Sequence, residues 1–241
     1  MVATPTVDGK VDGHYLVSLV DSMRAAMARG HTVYLQIEPF CVYLPMVRSK
    51  LVQKFLDSNA DDLFFIDSDQ GWDPQAFVRL IERSQEIVGG VPPLKSDSQA
   101  FPCLLHTDAN GFPLVDAESG LLNAMVLGTG FLRIRREAVN RYLDHYGREA
   151  LAVVERNPDG SERQRYYGIF DTRKDGETWY GEDVWFGNQW RALGGDLWID
   201  PDIHFTHTGT RTWSGNFHDY LRALPGGGGE PAADWQFQPR T

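Results

Sequence analysis

Asp61-Asp62-Leu63-Phe64-Phe65-Ile66-Asp67-Ser68-Asp69-Gln70-Gly71-Trp72-Asp73-Pro74 is the stretch from which the rest of the chain can be read. The apolar run Leu63 to Ile66 is too short for a helix and predicts a buried strand, which ends on two carboxylates one residue apart. Alternation along an extended backbone puts Asp67 and Asp69 on one side, at the carboxyl edge of a sheet, where open α/β folds bind ligands. Two hard oxygen ligands there suit Mg²⁺ or Mn²⁺ holding a diphosphate. Asp73-Pro74 reads as an N-cap followed by proline at the first helical position. A second such triplet, Asp200-Pro201-Asp202, has proline at its centre and reads as a turn.

Outward from this stretch, helices and strands alternate. Leu16, Leu19, Val20, Met23 and Met27 give the spacing of an amphipathic helix from about His14 to Arg29, stopped by Gly30. Thr32 to Ile37 predicts the first strand, and Pro45 opens a helix running to about Asp57. A third helix carries Phe77, Val78, Leu80 and Ile81, and Ile87 to Val91 is a short strand ending in Pro92-Pro93-Leu94-Lys95. This alternation predicts one α/β domain with a mixed, mostly parallel sheet flanked by helices.

Beyond Ser96 the pattern loosens. Phe101 to Leu105 and Phe112 to Val115, about the turn Asp108-Ala109-Asn110-Gly111, predict an antiparallel hairpin. Strand-like runs flank Gly128-Thr129-Gly130, and helices are expected from about Arg136 to His145 and from Gly181-Glu182-Asp183 to Leu193. Asp196 to Ile199 reads as the last strand. Residues 147–180, rich in charges and aromatics, read as a lid or binding loop. Pro225 and the four glycines after it predict a mobile tail, 225–241, beyond a domain of residues 1–224.

At 241 residues the chain can bury one substantial core, and 42% hydrophobic with 23% charged residues excludes a disordered or fibrous class. No apolar run approaches the roughly 20 residues needed to span a bilayer, and the start lacks a basic region followed by an apolar core. The expectation is a cytoplasmic protein with no membrane partner. Cys41 and Cys103 have no metal-ligand spacing and read as core thiols. The net charge of −10 excludes a generic nucleic-acid binder, so contact with a polyanion would rest on local clusters. Those available are Arg133-Ile134-Arg135-Arg136, Arg163-Gln164-Arg165 and Arg173-Lys174.

Glu182 and Asp183 open a helix, a position the helix dipole favours for carboxylates with or without chemistry. His204 and His207 follow the last expected strand. Asp and His are both competent ligands for an ion such as Mn²⁺, and a further carboxylate nearby can take a proton from an acceptor hydroxyl.

The order of these pieces is a strand with Asp67-Ser68-Asp69, then Gly89-Gly90-Val91-Pro92-Pro93-Leu94-Lys95, Gly128-Thr129-Gly130-Phe131-Leu132, Gly181-Glu182-Asp183 and His207-Thr208-Gly209. It resembles the GT-A glycosyltransferases, especially small bacterial and bacteriophage members, over residues 30–215. The resemblance implies a Rossmann-like nucleotide-binding half and an acceptor-binding half in one GT-A-like domain. It implies that Asp67 and Asp69 bind Mn²⁺ or Mg²⁺ and the nucleotide diphosphate sugar, with His207 completing the metal site and His204 as the alternative. It further implies Asp183 as catalytic base with Glu182 orienting the acceptor, and Glu38, Arg48, Ser68, Lys95 and Gly130 as donor-binding residues.

The expected activity is metal-dependent sugar transfer to an acceptor hydroxyl, with inversion favoured and retention open. The likeness to bacteriophage enzymes makes a hydroxymethylated pyrimidine in phage DNA one expected acceptor, in host cytoplasm, beside a saccharide or protein hydroxyl. The rivals are a sugar-nucleotide pyrophosphorylase, for which Gln36-Ile37-Glu38-Pro39-Phe40 lacks the glycine-rich basic loop, and a non-catalytic carbohydrate-binding module.

Overall fold

The computed structural model describes residues 1–40 and 42–224. The core-thiol expectation for Cys41 and the mobile-tail expectation for 225–241 lie outside the described residues. The first half of the chain forms β1 (Val2–Pro5), α1 (Gly13–Ala28), β2 (Leu35–Glu38), α2 (Leu44–Leu56), β3 (Asp62–Ile66), β4 (Gln70–Trp72), α3 (Pro74–Glu82), β5 (Ile87–Gly89) and β6 (Cys103–Leu105). Then come β7 (Leu122–Leu127), β8 (Phe131–Arg135), α4 (Arg136–Tyr146), α5 (Arg148–Leu151) and two hairpins, β9 (Ala152–Arg156) with β10 (Glu162–Tyr167) and β11 (Arg173–Asp175) with β12 (Thr178–Tyr180). The chain continues through α6 (Glu182–Ala192), β13 (Leu197–Ile199), β14 (His204–Thr208), β15 (Thr212–Asn216) and α7 (Phe217–Ala223).

Eight strands form one mixed sheet in the order β2-β1-β3-β8-β5-β13-β7-β6. β1, β2 and β3 are mutually parallel, as are β5 and β13, while β8 and β7 run against their neighbours. Most strands therefore point one way, but most neighbouring pairs are antiparallel, which corrects the mostly parallel expectation. The causes are β8, which inserts between β3 and β5 from far along the chain, and β7, which lies between β13 and β6, pairings that local periodicity does not record. β1 escapes a reading by pattern as well: its four residues are all buried, so Val2-Ala3-Thr4-Pro5 shows no alternation. The buried Thr4 hydroxyl is paired with that of Tyr15.

Phe112 to Val115 does not form the expected hairpin strand. β6 pairs with β7 instead, and the Asp108 turn keeps single bridges, Thr107 to Pro113 and Val115 to Leu122. β13 is not the last strand either, because β14 and β15 join β4 in a separate three-stranded sheet. Residues 147–180 are the short helix α5 and two hairpins rather than one loop, and Tyr166 in β10 and Phe170 in the link between the hairpins are buried.

Helices cover both faces of the large sheet. Leu63 and Phe65 pack with α2, α4 and α6 through Leu51, Phe55, Leu143 and Trp190. Phe64 and Ile66 point the other way, onto α1 and α3 through Tyr15, Leu19 and Phe77. A strand buried on both sides is a rigid rod, and whatever follows Ile66 inherits a fixed position. Among the described residues no helix is long and apolar enough to cross a membrane.

Candidate functional site

β3 stops at Ile66, where the Asp67 N–H donates to the Gly130 carbonyl at 2.9 Å and a turn carries the chain into β4. β4 then pairs antiparallel with β14, setting Gln70 opposite His207, and the Thr208 N–H donates to the Asp69 carbonyl at 2.8 Å. This pairing brings a histidine from far along the sequence to Asp69. The His207 Nδ1–H donates to the Pro93 carbonyl at 2.7 Å, which turns Nε2 toward Asp69 Oδ1, 3.4 Å away. His204, three residues earlier and hence on the other side of the strand, is exposed and lies apart from these groups.

The other Asp69 oxygen accepts from Lys95 Nζ at 2.5 Å. Burial acts to raise the pKa of Asp69, but the hydrogen bonds from His207 and Lys95 outweigh it and hold the carboxyl below its ordinary value. Asp67 is turned elsewhere. Its Oδ1 meets the guanidinium of Arg48 at 3.1 Å, and the same guanidinium is paired with Glu182 at the start of α6. Arg48 is only 3% exposed. It was expected on donor phosphates, whereas its two terminal nitrogens are committed to two carboxylates.

Asp183 occupies the first turn of α6, where its Oδ1 accepts from the Val184 N–H at 2.7 Å. Its other oxygen faces Gly128, at 3.7 Å from where a Cβ would stand. A Cβ on Gly130 would lie 2.6 Å from Gln70 Nε2 and 2.9 Å from Asp67 Oδ2, so the missing side chain is what lets Asp67 lie against this loop. Glu38, expected on the donor, is ion-paired with Lys54 and lines neither compartment of the cleft described next.

That cleft has two compartments. One of about 400 Å³ runs from Pro5 and Thr6 at the end of β1 past Ser68 and Asp69. The other, about 270 Å³, holds Gln70, Thr129, Glu182 and Asp183 against a wall from Gly90 to Leu94. Leu44, Asp67 and His207 belong to both and form the divide. A separate cavity of about 300 Å³ includes Asp61, Asp62 and Tyr34, away from these groups.

Among the described residues no three or more His, Cys, Asp or Glu side chains are gathered as a metal cage. The donor set fits another mode. Asp69 and His207 are two donors, and a divalent ion held there would take the rest of its shell from substrate phosphates and water, beside the Lys95 ammonium on the other Asp69 oxygen.

The basic clusters are largely committed to the fold. Arg133 is fully buried, donates to the carbonyls of Leu80, Arg83 and Gln85, and has its pKa lowered to about 10 by burial. Arg136 donates to the carbonyls of Phe55, Ser58 and Ala60. This cluster is therefore no surface for a polyanion. Arg165 is paired with Glu149 and Glu162, whereas Arg163, Arg173, Lys174 and Trp179 are exposed.

Sequence reasoning missed two residues of the cleft. Gln70 and Thr129 are each 2% exposed, and Gln70 Oε1 and Thr129 Oγ1 are buried with no hydrogen-bond partner among the described residues. Both stand inside the motifs that carry the carboxylates and glycines, but an uncharged side chain gives no signal there.

No family model matches the chain, and no curated protein does. Among solved structures it is similar to the crystal structure of A197 from STIV, with 16% sequence identity, coverage of 86% of this chain and 84% of that one, and a TM-score of 0.48.

Proposed function

We propose that this chain is a metal-dependent GT-A-type glycosyltransferase, moving a sugar from a nucleotide diphosphate sugar to an acceptor hydroxyl. The observation that carries the proposal is the convergence of Arg48, Asp67, Asp69, Glu182, Asp183 and His207, from separate segments of the chain, on one two-compartment cleft, with Lys95 paired to Asp69 beside it. The compartment reached from β1 takes the nucleotide diphosphate, and the one ending at Asp183 takes the sugar and the incoming hydroxyl. Asp69 and His207 hold the divalent ion, Mn²⁺ or Mg²⁺, which when bound neutralises charge on the leaving diphosphate. Lys95 adds a cation on the same side.

Asp183 accepts the hydroxyl proton as the acceptor oxygen bonds to the anomeric carbon and the diphosphate departs. Glu182 orients the acceptor, and Arg48 fixes Glu182 relative to Asp67, coupling the two compartments. Displacement of this kind inverts the anomeric centre. A hydroxyl on a saccharide or protein is the acceptor we favour over modified DNA, because Arg133 is buried and Arg135 and Arg136 donate to backbone carbonyls of the fold, which leaves a polyanion the exposed cations of residues 163–174 alone among these clusters.

The test is a panel of nucleotide diphosphate sugars with and without Mn²⁺, scored for donor hydrolysis, with calorimetry of the matching diphosphates. Mn²⁺-dependent binding and slow hydrolysis of at least one donor are expected. A chain that binds no diphosphate under either condition is not a glycosyltransferase of this kind.

A further inference from the structure

Gln70 and Thr129 carry a consequence for which sugar the cleft accepts, given the glycosyltransferase reading above. A buried polar atom without a partner costs free energy unless a ligand or water satisfies it. Two such side chains line the same 270 Å³ compartment, both 2% exposed, one entering from β4 and one from the loop between β7 and β8. Much of the remaining lining is apolar: Val91, Pro92, Pro93 and Leu94, with Leu44 and Pro102. An apolar lining joined to neutral hydrogen-bonding groups is the surface a sugar ring matches, with its C–H faces and its hydroxyls. The volume lies just below the roughly 300–1,000 Å³ of ordinary ligand pockets, which suits one ring.

Charge narrows the class further. Asp67, Glu182 and Asp183 line the compartment, and the Arg48 guanidinium beside them already faces Asp67 and Glu182. A carboxylate on the sugar would sit among three acidic side chains, and the Arg48 guanidinium already bridges two of them.

We infer that Gln70 and Thr129 form the floor of a subsite for one neutral hydroxylated sugar ring, and that the enzyme rejects donors whose sugar bears a carboxylate. Donor hydroxyls pair with the Gln70 amide and the Thr129 Oγ1, while Pro92 and Pro93 pack on the ring.

Thr129→Val keeps the shape and removes the hydroxyl, and Gln70→Met removes the amide at similar length. Each should weaken binding of the neutral sugar nucleotide about five- to tenfold, as loss of one neutral hydrogen bond does, and leave binding of the corresponding diphosphate without sugar unchanged. Thr129→Val should also melt no lower than the parent, because it deletes a hydroxyl with no partner in the fold. A fall of several degrees would assign the hydroxyl a structural role and overturn its place in the subsite. Equal weakening of diphosphate and sugar nucleotide would overturn the subsite and leave the glycosyltransferase proposal standing. So would uronic-acid donors binding as tightly as their neutral counterparts. Free neutral monosaccharides, probed by ligand-observed NMR, separate the two ideas from the other direction. Contacts that disappear in Thr129→Val, in a protein that binds no diphosphate, would keep the ring subsite and remove the glycosyltransferase.

Discussion

Replacing Arg48 by methionine should cost the protein about 3 kcal/mol. The side chain is 4% exposed and bridges Asp67, 34% exposed, and Glu182, 15% exposed. Methionine fills much of the aliphatic volume, so the chief loss is the guanidinium, which leaves two carboxylates near each other without a counter-charge. Removing one partner from a buried ion pair costs about 3–5 kcal/mol. The lower end applies because Asp67 keeps a third of its surface in water, which screens its charge. For a chain of this size each kcal/mol moves the melting temperature by about 2–4 °C, so the expected shift is about 6–12 °C. Urea or thermal denaturation at neutral pH measures it. The double variant Arg48→Met/Glu182→Gln supplies the control, because removing the orphaned charge should return part of the loss, with a coupling of about 1 kcal/mol or more. Arg48→Lys should fall between, since an ammonium cannot span both carboxylates as a planar fork does. A melting temperature within 2 °C of the parent for Arg48→Met, or strict additivity in the cycle, would refute the bridge as a structural link.

Asp183→Asn should retain donor binding and lose turnover by roughly 10²-fold or more, because the amide keeps the shape without the basicity. Single-turnover assays decide this, and near-normal rates would move the base elsewhere. His207→Ala should abolish the Mn²⁺-dependent part of diphosphate affinity in calorimetry while His204→Ala leaves it intact, and the reverse result would exchange their roles. Gly130→Ala should place a methyl against Gln70 and Asp67, costing about 1–3 kcal/mol and reducing donor affinity, with unchanged affinity counting against this loop as part of the floor. Burial pushes the Cys103 thiol up to about 12, so it should resist alkylation at pH 8–9 when mapped by site in the folded chain. Above the ordinary thiol value the unfolded chain ionises while folded Cys103 does not, so stability should fall with rising pH up to about 12, and Cys103→Ala should flatten that slope.

Much of this protein is local physics and can be read directly from the chain. Leu63 to Ile66 is a buried strand because four consecutive apolar residues have no polar face to offer. Asp73 caps α3 with proline behind it because an acceptor side chain and a residue lacking an N–H suit a helix start. Gly181-Glu182-Asp183 begins α6, and Pro45 lies in the first turn of α2. Local signals of this kind suffice to put Asp67, Asp69 and Asp183 at the ends of elements. Tertiary structure alone decided the rest, because the relevant contacts join residues remote in sequence. β8 enters antiparallel between β3 and β5, and β1 is a strand because Val2 and Ala3 find places between β2 and β3. The pairing of β4 with β14 puts His207 rather than His204 beside Asp69. Arg48 reads equally well as a solvated helix face, and its burial follows from where α2 packs against the start of α6. Gln70 and Thr129 gain meaning only as unpartnered groups lining a cleft, since the lack of a hydrogen bond is a property of the surroundings and not of the residue.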